Sequence, residues 1–169
     1  MKNKISEIVR VNQAGEYGAQ KIYEGQLAVL KNLPISLEIK KMLKEEEKHL
    51  NKFNELIIKK RIRPTVLSPL WSLGGYSLGV FTAILGPKST MACTEAVEEI
   101  ICQHYEEQSI FLKENDPELY KIVLNFSKDE KNHLNKAISH GTGEDFAHKI
   151  LKKTIKFITK SAIKISEKI

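Results

Sequence analysis

Two short motifs in the 169-residue chain set a carboxylate and an imidazole one helical turn apart: Glu46-x-x-His49 and Glu130-x-x-His133. Residues three apart on a helix share a face, so each motif can present two ligands to one point. A lone glutamate precedes each motif by about 30 residues, Glu16 for the first and Glu98 for the second. One glutamate from each of two helices and a Glu-x-x-His from each of two others is the set with which a four-helix bundle holds a pair of iron or manganese ions. Charge balance agrees, because four carboxylates neutralise two divalent cations. Without metal, four carboxylates converging in a core repel one another and are costly to desolvate. An oxygen-rich set with two imidazoles accepts either metal.

The elements that must carry these ligands are legible as an internal repeat. At an offset of 82, Ala14, Glu16, Tyr23, Glu24, Gln26, Leu30 and Lys31 meet Ala96, Glu98, Tyr105, Glu106, Gln108, Leu112 and Lys113. At an offset of 84, Lys44, Glu46, His49, Leu50, Asn51 and Lys52 meet Lys128, Glu130, His133, Leu134, Asn135 and Lys136. Three-to-four apolar spacing and a Glu, Lys, Leu, Ile and Ala composition predict helices over 4–31, 35–60, 89–114, 118–139 and 144–167. Pro34 and Pro117, each following a capping-type residue, are read as first-turn prolines. The expected fold is all-α, a four-helix bundle made of two repeated helix pairs in one domain.

Around the ligands, Glu45 and Asp129 are repeat-equivalent acids directly before the ligand glutamates. Asp129 is expected to orient His49 and Glu45 to orient His133, since metal-bound histidines hand their second nitrogen to a carboxylate; otherwise both are solvated acids. Tyr23 and Tyr105 lie two turns beyond Glu16 and Glu98; as pocket residues they bond a ligand carboxylate or shuttle a proton, and otherwise they serve as core aromatics. His104 sits about a third of a turn off that face and is read as a pocket residue. His140 and His148 are expected at the surface, and Cys93 and Cys102 as core thiols.

Two cysteines with no Cys-x-x-Cys exclude a disulfide scaffold. The net charge of +6 suggests nucleic acid until it is located. Of 27 basic and 21 acidic side chains, seven lysines and one glutamate lie in 149–169, which leaves 20 of each elsewhere. The body is neutral and no nucleic-acid partner is expected. As a helix, the C-terminal segment sets Ile150, Leu151, Ile155, Phe157, Ile158, Ala162, Ile165 and Ile169 opposite Lys149, Lys152, Lys153, Lys156, Lys160 and Lys164. Such a basic amphipathic helix either lies in an anionic membrane interface or docks on the bundle with its lysines in water. Between the repeats, the 24 residues Pro64–Pro87 hold no charge. They are long enough to span a bilayer. Their prolines and glycines favour instead an apolar crossover (62–88) with a short helix at 70–84, either buried or a contact for membrane and substrate.

With these residues assembled, the chain resembles the demethoxyubiquinone hydroxylases of ubiquinone biosynthesis, which are ferritin-like di-iron monooxygenases. The resemblance rests on Arg10-Val-Asn-Gln-Ala-Gly-Glu-Tyr-Gly18, Arg63-Pro-Thr-Val66, Pro69-Leu-Trp71, Met91-Ala-Cys93, Ala96-Val-Glu-Glu99 and His104-Tyr105. It implies iron ligands at Glu16, Glu46, His49, Glu98, Glu130 and His133, with Glu46 and Glu130 bridging. Gln13 departs from the histidine common before Ala-Gly-Glu. The resemblance further implies O2 as co-substrate, NADH or another reductant, and a lipid-soluble quinol as substrate. As partners it implies a membrane surface and other ubiquinone-biosynthesis proteins. The expected location is peripheral, on the cytoplasmic side of a cell membrane, in a bacterial layout without a presequence. The competing expectation is a ferritin-like ferroxidase or peroxide-scavenging protein using the same site.

Overall fold

The structure, a computed structural model, describes residues 2–168, so Ile169 of the amphipathic pattern lies outside it. Six helices follow in order: α1 (Lys2–Leu30), α2 (Ser36–Lys59), α3 (Ser68–Ile84), α4 (Pro87–Asn115), α5 (Pro117–Ser139) and α6 (Phe146–Lys168). No strand occurs among the described residues. α1 packs on α2 and α4 on α5, giving two antiparallel pairs that face each other as a four-helix bundle. Each pair is followed by a third helix that covers its first member: α3 lies along α1, and α6 lies along α4 and touches α1.

Helix starts follow local chemistry. Asp116 Oδ1 accepts the Leu119 N–H at 3.0 Å ahead of Pro117, and Asp145 Oδ1 accepts from Ala147 and His148 at the start of α6. Prolines near the first turn carry α3 and α4 back to Ser68 and Pro87, two residues earlier than their sequence pattern suggested. Pro34 is a correction. It sits in a turn two residues before α2, which begins without a side-chain cap, and backbone bonds such as Ser36 N–H to Leu33 O (3.0 Å) close that turn.

Along each bundle helix the buried face changes from apolar to polar and back. On α2 the buried run is Ile39, Met42, Glu46, His49, Phe53 and Leu56; on α5 it is Leu119, Val123, Glu130, His133 and Ala137. Spacings of three and four put each run on one stripe. The apolar ends form two clusters, one around Phe53, Leu112 and Val123 and the other around Ile39, Met42 and Met91. Those clusters hold the polar middle at fixed register.

The crossover helix approaches α1 through glycines. A Cβ on Gly79 would lie 2.1 Å from the Ile22 carbonyl oxygen, and one on Gly25 would lie 2.3 Å from that of Tyr76. Gly79→Ala is therefore expected to push α3 off α1 and to cost about 2 kcal/mol in urea unfolding; an unchanged midpoint would show that the contact yields without loss. The crossover is not buried. Only Gly79, Thr82 and Ala83 of α3 are, whereas Leu70, Leu73, Phe81 and Ile84 are exposed.

The C-terminal helix corrects another expectation. Lys152 and Lys156 do not stand in water but turn to the bundle, where Lys152 Nζ bonds Glu95 (3.2 Å) and Lys156 Nζ bonds Glu99 (2.6 Å). Ile155 is buried with them. Phe146, Ile150, Phe157 and Ile158 remain exposed. His148 is not a free surface residue either: its ring lies between Asp145 Oδ2 (2.6 Å) and Ser89 Oγ (3.2 Å).

Candidate metal centre

The six residues drawn from the repeat meet in the middle of the bundle, each at most 4% exposed. Their ligand atoms form two groups. Glu16, Glu46, His49 and Glu130 make one; Glu46, Glu98, Glu130 and His133 make the other, with the chosen atoms within 4.8 Å of one another in each. Glu46 and Glu130 belong to both groups. Each group thus draws three ligands from one half of the chain and one shared carboxylate from the other.

The histidines turn Nδ1 inward. His49 Nδ1 lies 3.0 Å from Glu130 Oε1 and 3.5 Å from Glu16 Oε2. His133 Nδ1 lies 3.1 Å from both Glu130 Oε2 and Glu46 Oε1. Their outer nitrogens meet acids of the opposite half: His49 Nε2 is 3.2 Å from Asp129 Oδ2, and His133 Nε2 is 2.7 Å from Glu45 Oε2. Phe126 stacks on the His49 ring with centroids 4.0 Å apart, which fixes its plane. The tyrosines also cross between halves. Tyr23 donates to Glu98 Oε1 at 2.7 Å, and Tyr105 donates to Glu16. Burial, followed by the neighbouring Glu98 for Tyr23 and Glu16 for Tyr105, pushes both phenols well above their ordinary range, so both remain donors.

Electrostatics test whether these residues suit a cation. Glu46 has both oxygens buried without a hydrogen bond, and Glu98 has one. Burial, then repulsion from Glu130, raises the pKa of each. Such orphaned carboxylate oxygens at the focus of two imidazoles are what a divalent pair would satisfy, so the donor set fits two metal ions. Cys93 and Cys102, by contrast, are pushed up to about 12 by burial and stay thiols. Cys102 is only half-buried, so just one of the two is a core residue. His140 is exposed and takes no part.

An apolar cavity of about 430 Å³ reaches this cluster at Glu16. Its walls come from α1 (Ala14, Gly18), α3 (Trp71, Gly74), α4 (His104, Tyr105) and α6 (Thr159, Ala162). Small residues on α1 and α3 leave the space. Sequence reasoning gave α6 no share in this wall. It also passed over Asn12, which exchanges two 2.8 Å hydrogen bonds with Gln108 and borders the same cavity. Gln108 was visible only as the repeat mate of Gln26.

Residues 3–166 match the family profile described as ubiquinone biosynthesis protein COQ7. The chain is 44% identical over 168 residues to a mouse protein named NADPH-dependent 3-demethoxyubiquinone 3-hydroxylase, mitochondrial, covering 97% of this chain and 77% of that protein. It is 40% identical to the 3-demethoxyubiquinol 3-hydroxylase of Rhodospirillum rubrum, covering 98% and 78%. It is 36% identical to the yeast 5-demethoxyubiquinone hydroxylase, mitochondrial, over 98% and 78%. With a ferritin-like bundle, a paired Glu/His cluster and a match across nearly its whole length, the chain belongs to the COQ7 family of ubiquinone biosynthesis proteins.

Proposed function

We propose that this chain is a di-iron monooxygenase that uses O2 to hydroxylate the ring of a demethoxyubiquinol during ubiquinone biosynthesis. The observation that carries this is the apolar cavity bordered at one point by Glu16, because it leads a hydrophobic ring to the carboxylate cluster. The printed names of the relatives supply the substrate class.

In this assignment Glu16, Glu46, His49, Glu98, Glu130 and His133 would hold the metals, Glu46 and Glu130 being common to both groups. When bound, the iron pair supplies the oxygen-activating chemistry that no side chain can. The protein supplies the rest. Tyr23 and Tyr105 fix the two unshared glutamates, Glu45 and Asp129 fix the imidazole planes, and the buried clusters keep bulk water away. One oxygen atom enters a ring C–H bond and the other leaves as water, consuming two electrons and two protons. The electrons come from NADH, NADPH or another donor, and the mouse relative's name favours a nicotinamide. Iron-loaded chain supplied with a short-tailed demethoxyquinol, a reductant and ¹⁸O2 is expected to give a ring hydroxyl carrying the label. Ferrous iron oxidation with no ring product would instead establish the ferroxidase reading, which no observation here favours.

The substrate's isoprenoid tail would reside in lipid, which gives the two covering helices a second role. No helix among the described residues is long and apolar enough to cross a membrane. The helices α3 and α6, which both wall the cavity, leave Leu70, Leu73, Phe157 and Ile158 exposed, and Lys149, Lys153, Lys160 and Lys164 are exposed on α6. This face suits peripheral attachment to an anionic bilayer, with the cavity opening toward the tail. The double variant Leu73→Glu/Phe157→Glu is expected to lower co-sedimentation with anionic vesicles at least fivefold, with an unchanged circular dichroism spectrum. Equal sedimentation would remove this face from membrane contact.

A further inference from the structure

Besides Glu16 and Tyr105, the cavity's polar lining includes Trp71, whose buried indole N–H has no partner among the described residues, Thr159, Ser166, and His104 and Asn12, which Gln108 links. His104 Nε2 lies 2.7 Å from Gln108 Nε2, and Gln108 is in turn locked to Asn12 by two 2.8 Å hydrogen bonds. The donors and acceptors can be assigned along this chain. Gln108 Oε1 accepts from Asn12 Nδ2, and the amide hydrogens of Gln108 go to Asn12 Oδ1 and His104 Nε2. With the two amides in this orientation His104 Nε2 accepts, which places the ring proton on Nδ1. Burial holds the His104 pKa below its ordinary value, in keeping with a neutral ring. His104 borders the cavity, and its Nδ1 has no protein partner among the described residues.

The internal repeat shows that this chain exists once. At the offset of 82, Asn12, His104 and Gln108 correspond to Thr94, Ile22 and Gln26. In that half Thr94 Oγ1 and both amide atoms of Gln26 are buried with no partner, and Ile22 takes the place of the imidazole. Ile22 and His104 both border the cavity, so at this pair of equivalent positions a flat ring entering it meets an aliphatic side chain from one half and an imidazole from the other.

We infer that His104 binds an oxygen of the quinol or quinone ring through its Nδ1–H, and that Asn12 and Gln108 are positioning residues that set its tautomer. The inference rests on the assignment of the cavity to a ring substrate, and it adds what orients that ring. One ring oxygen is fixed at His104, so which ring carbon is presented to the Glu16 end follows from this hydrogen bond. An unmade hydrogen bond here changes affinity about tenfold.

Trp71 is the only tryptophan and borders the same cavity, so quenching of its emission reports entry of a quinone. The test titrates the full chain with a short-tailed 1,4-benzoquinone, and displaces it with a benzene bearing the same tail. For His104→Leu the quinone dissociation constant is expected to rise about tenfold, while that of the oxygen-free ring changes less than twofold. His104→Asn, whose amide can place an N–H near the original Nδ1, is expected to recover most of the quinone affinity. Gln108→Leu is expected to give an intermediate loss confined to the quinone. Unchanged quinone affinity in His104→Leu, or equal weakening of both ligands, overturns the role of His104. Absence of saturable quenching in the unaltered chain overturns the cavity assignment itself.

Discussion

Glu46→Leu is expected to abolish ring hydroxylation and reduce bound iron below one per chain, yet to raise the melting temperature of the metal-free protein by about 5 °C. The opposite signs have one cause. Glu46 is fully buried, and neither of its oxygens has a hydrogen bond. His133 Nδ1 comes within 3.1 Å of Oε1 without hydrogen-bond geometry. Burial and repulsion from Glu130, Glu16 and Glu98 raise its pKa, so the metal-free fold carries a group it stabilises poorly. Replacing such a group with hydrocarbon of similar volume removes a cost on the order of 2 kcal/mol. Because Glu46 belongs to both candidate groups, the same change is expected to take a donor from each. Thermal melts in chelator and after iron loading, with iron analysis, check the pair of effects. A lower metal-free melting temperature would refute the buried-charge account, and surviving hydroxylation would refute the ligand assignment.

The metal-free chain is expected to lose stability steadily between about pH 5 and pH 9, while the metal-loaded chain does not. Burial alone would lower both histidines, but bonds to Glu130, joined by Glu16 at His49 and by the charge of Glu98 at His133, win. The result is about 11 for His49 and about 9 for His133. A pKa raised by folding contributes stability that is complete below the unfolded value near 6.5 and is lost as pH climbs through the folded value. Glu46 and Glu98, also raised, add to the decline as soon as pH passes the ordinary carboxylate range. Glu130 works the other way. Burial would raise it, but the two histidines hold it at about 2, so its contribution is present above about pH 4.5 and disappears only in strong acid. Metal binding requires neutral imidazoles and ionised carboxylates, so loading releases protons and tightens as pH rises. The gap between chelated and loaded melting temperatures should therefore widen with pH. Parallel curves across pH 5–9 would contradict it.

The parts of this architecture that were legible in the sequence are those written in helical period. Glu16, Glu46, His49, Glu98, Glu130 and His133 stand at repeat-matched positions three or four residues from apolar neighbours, and the period alone places them on inward stripes. What the sequence left open depends on the surface a helix meets. Lys152 and Lys156 look like solvated lysines until Glu95 and Glu99, one turn apart on α4, are known to lie opposite them. Ser89 beside His148, and Asn12 beside Gln108, are likewise pairs separated by 59 and 96 residues, and no local pattern announces them. The α1–α3 contact was hidden for a different reason. Gly79 and Gly25 signal a backbone approach only once the partner carbonyls are in place.

The crosswise bonds make each half of the chain depend on the other. Tyr23 of the first half grips Glu98 of the second, Tyr105 of the second grips Glu16 of the first, and Asp129 and Glu45 reach the histidines across the same divide. A half-length chain carrying one hairpin and its covering helix would hold three ligands and no complete site. Two copies related by a dyad would complete both. The bundle thus has the geometry of a symmetric dimer carried on one polypeptide, in which the two halves are obligate partners in each group. A single polypeptide need not keep its halves alike, and at the cavity they differ, with His104 on one side and Ile22 on the other.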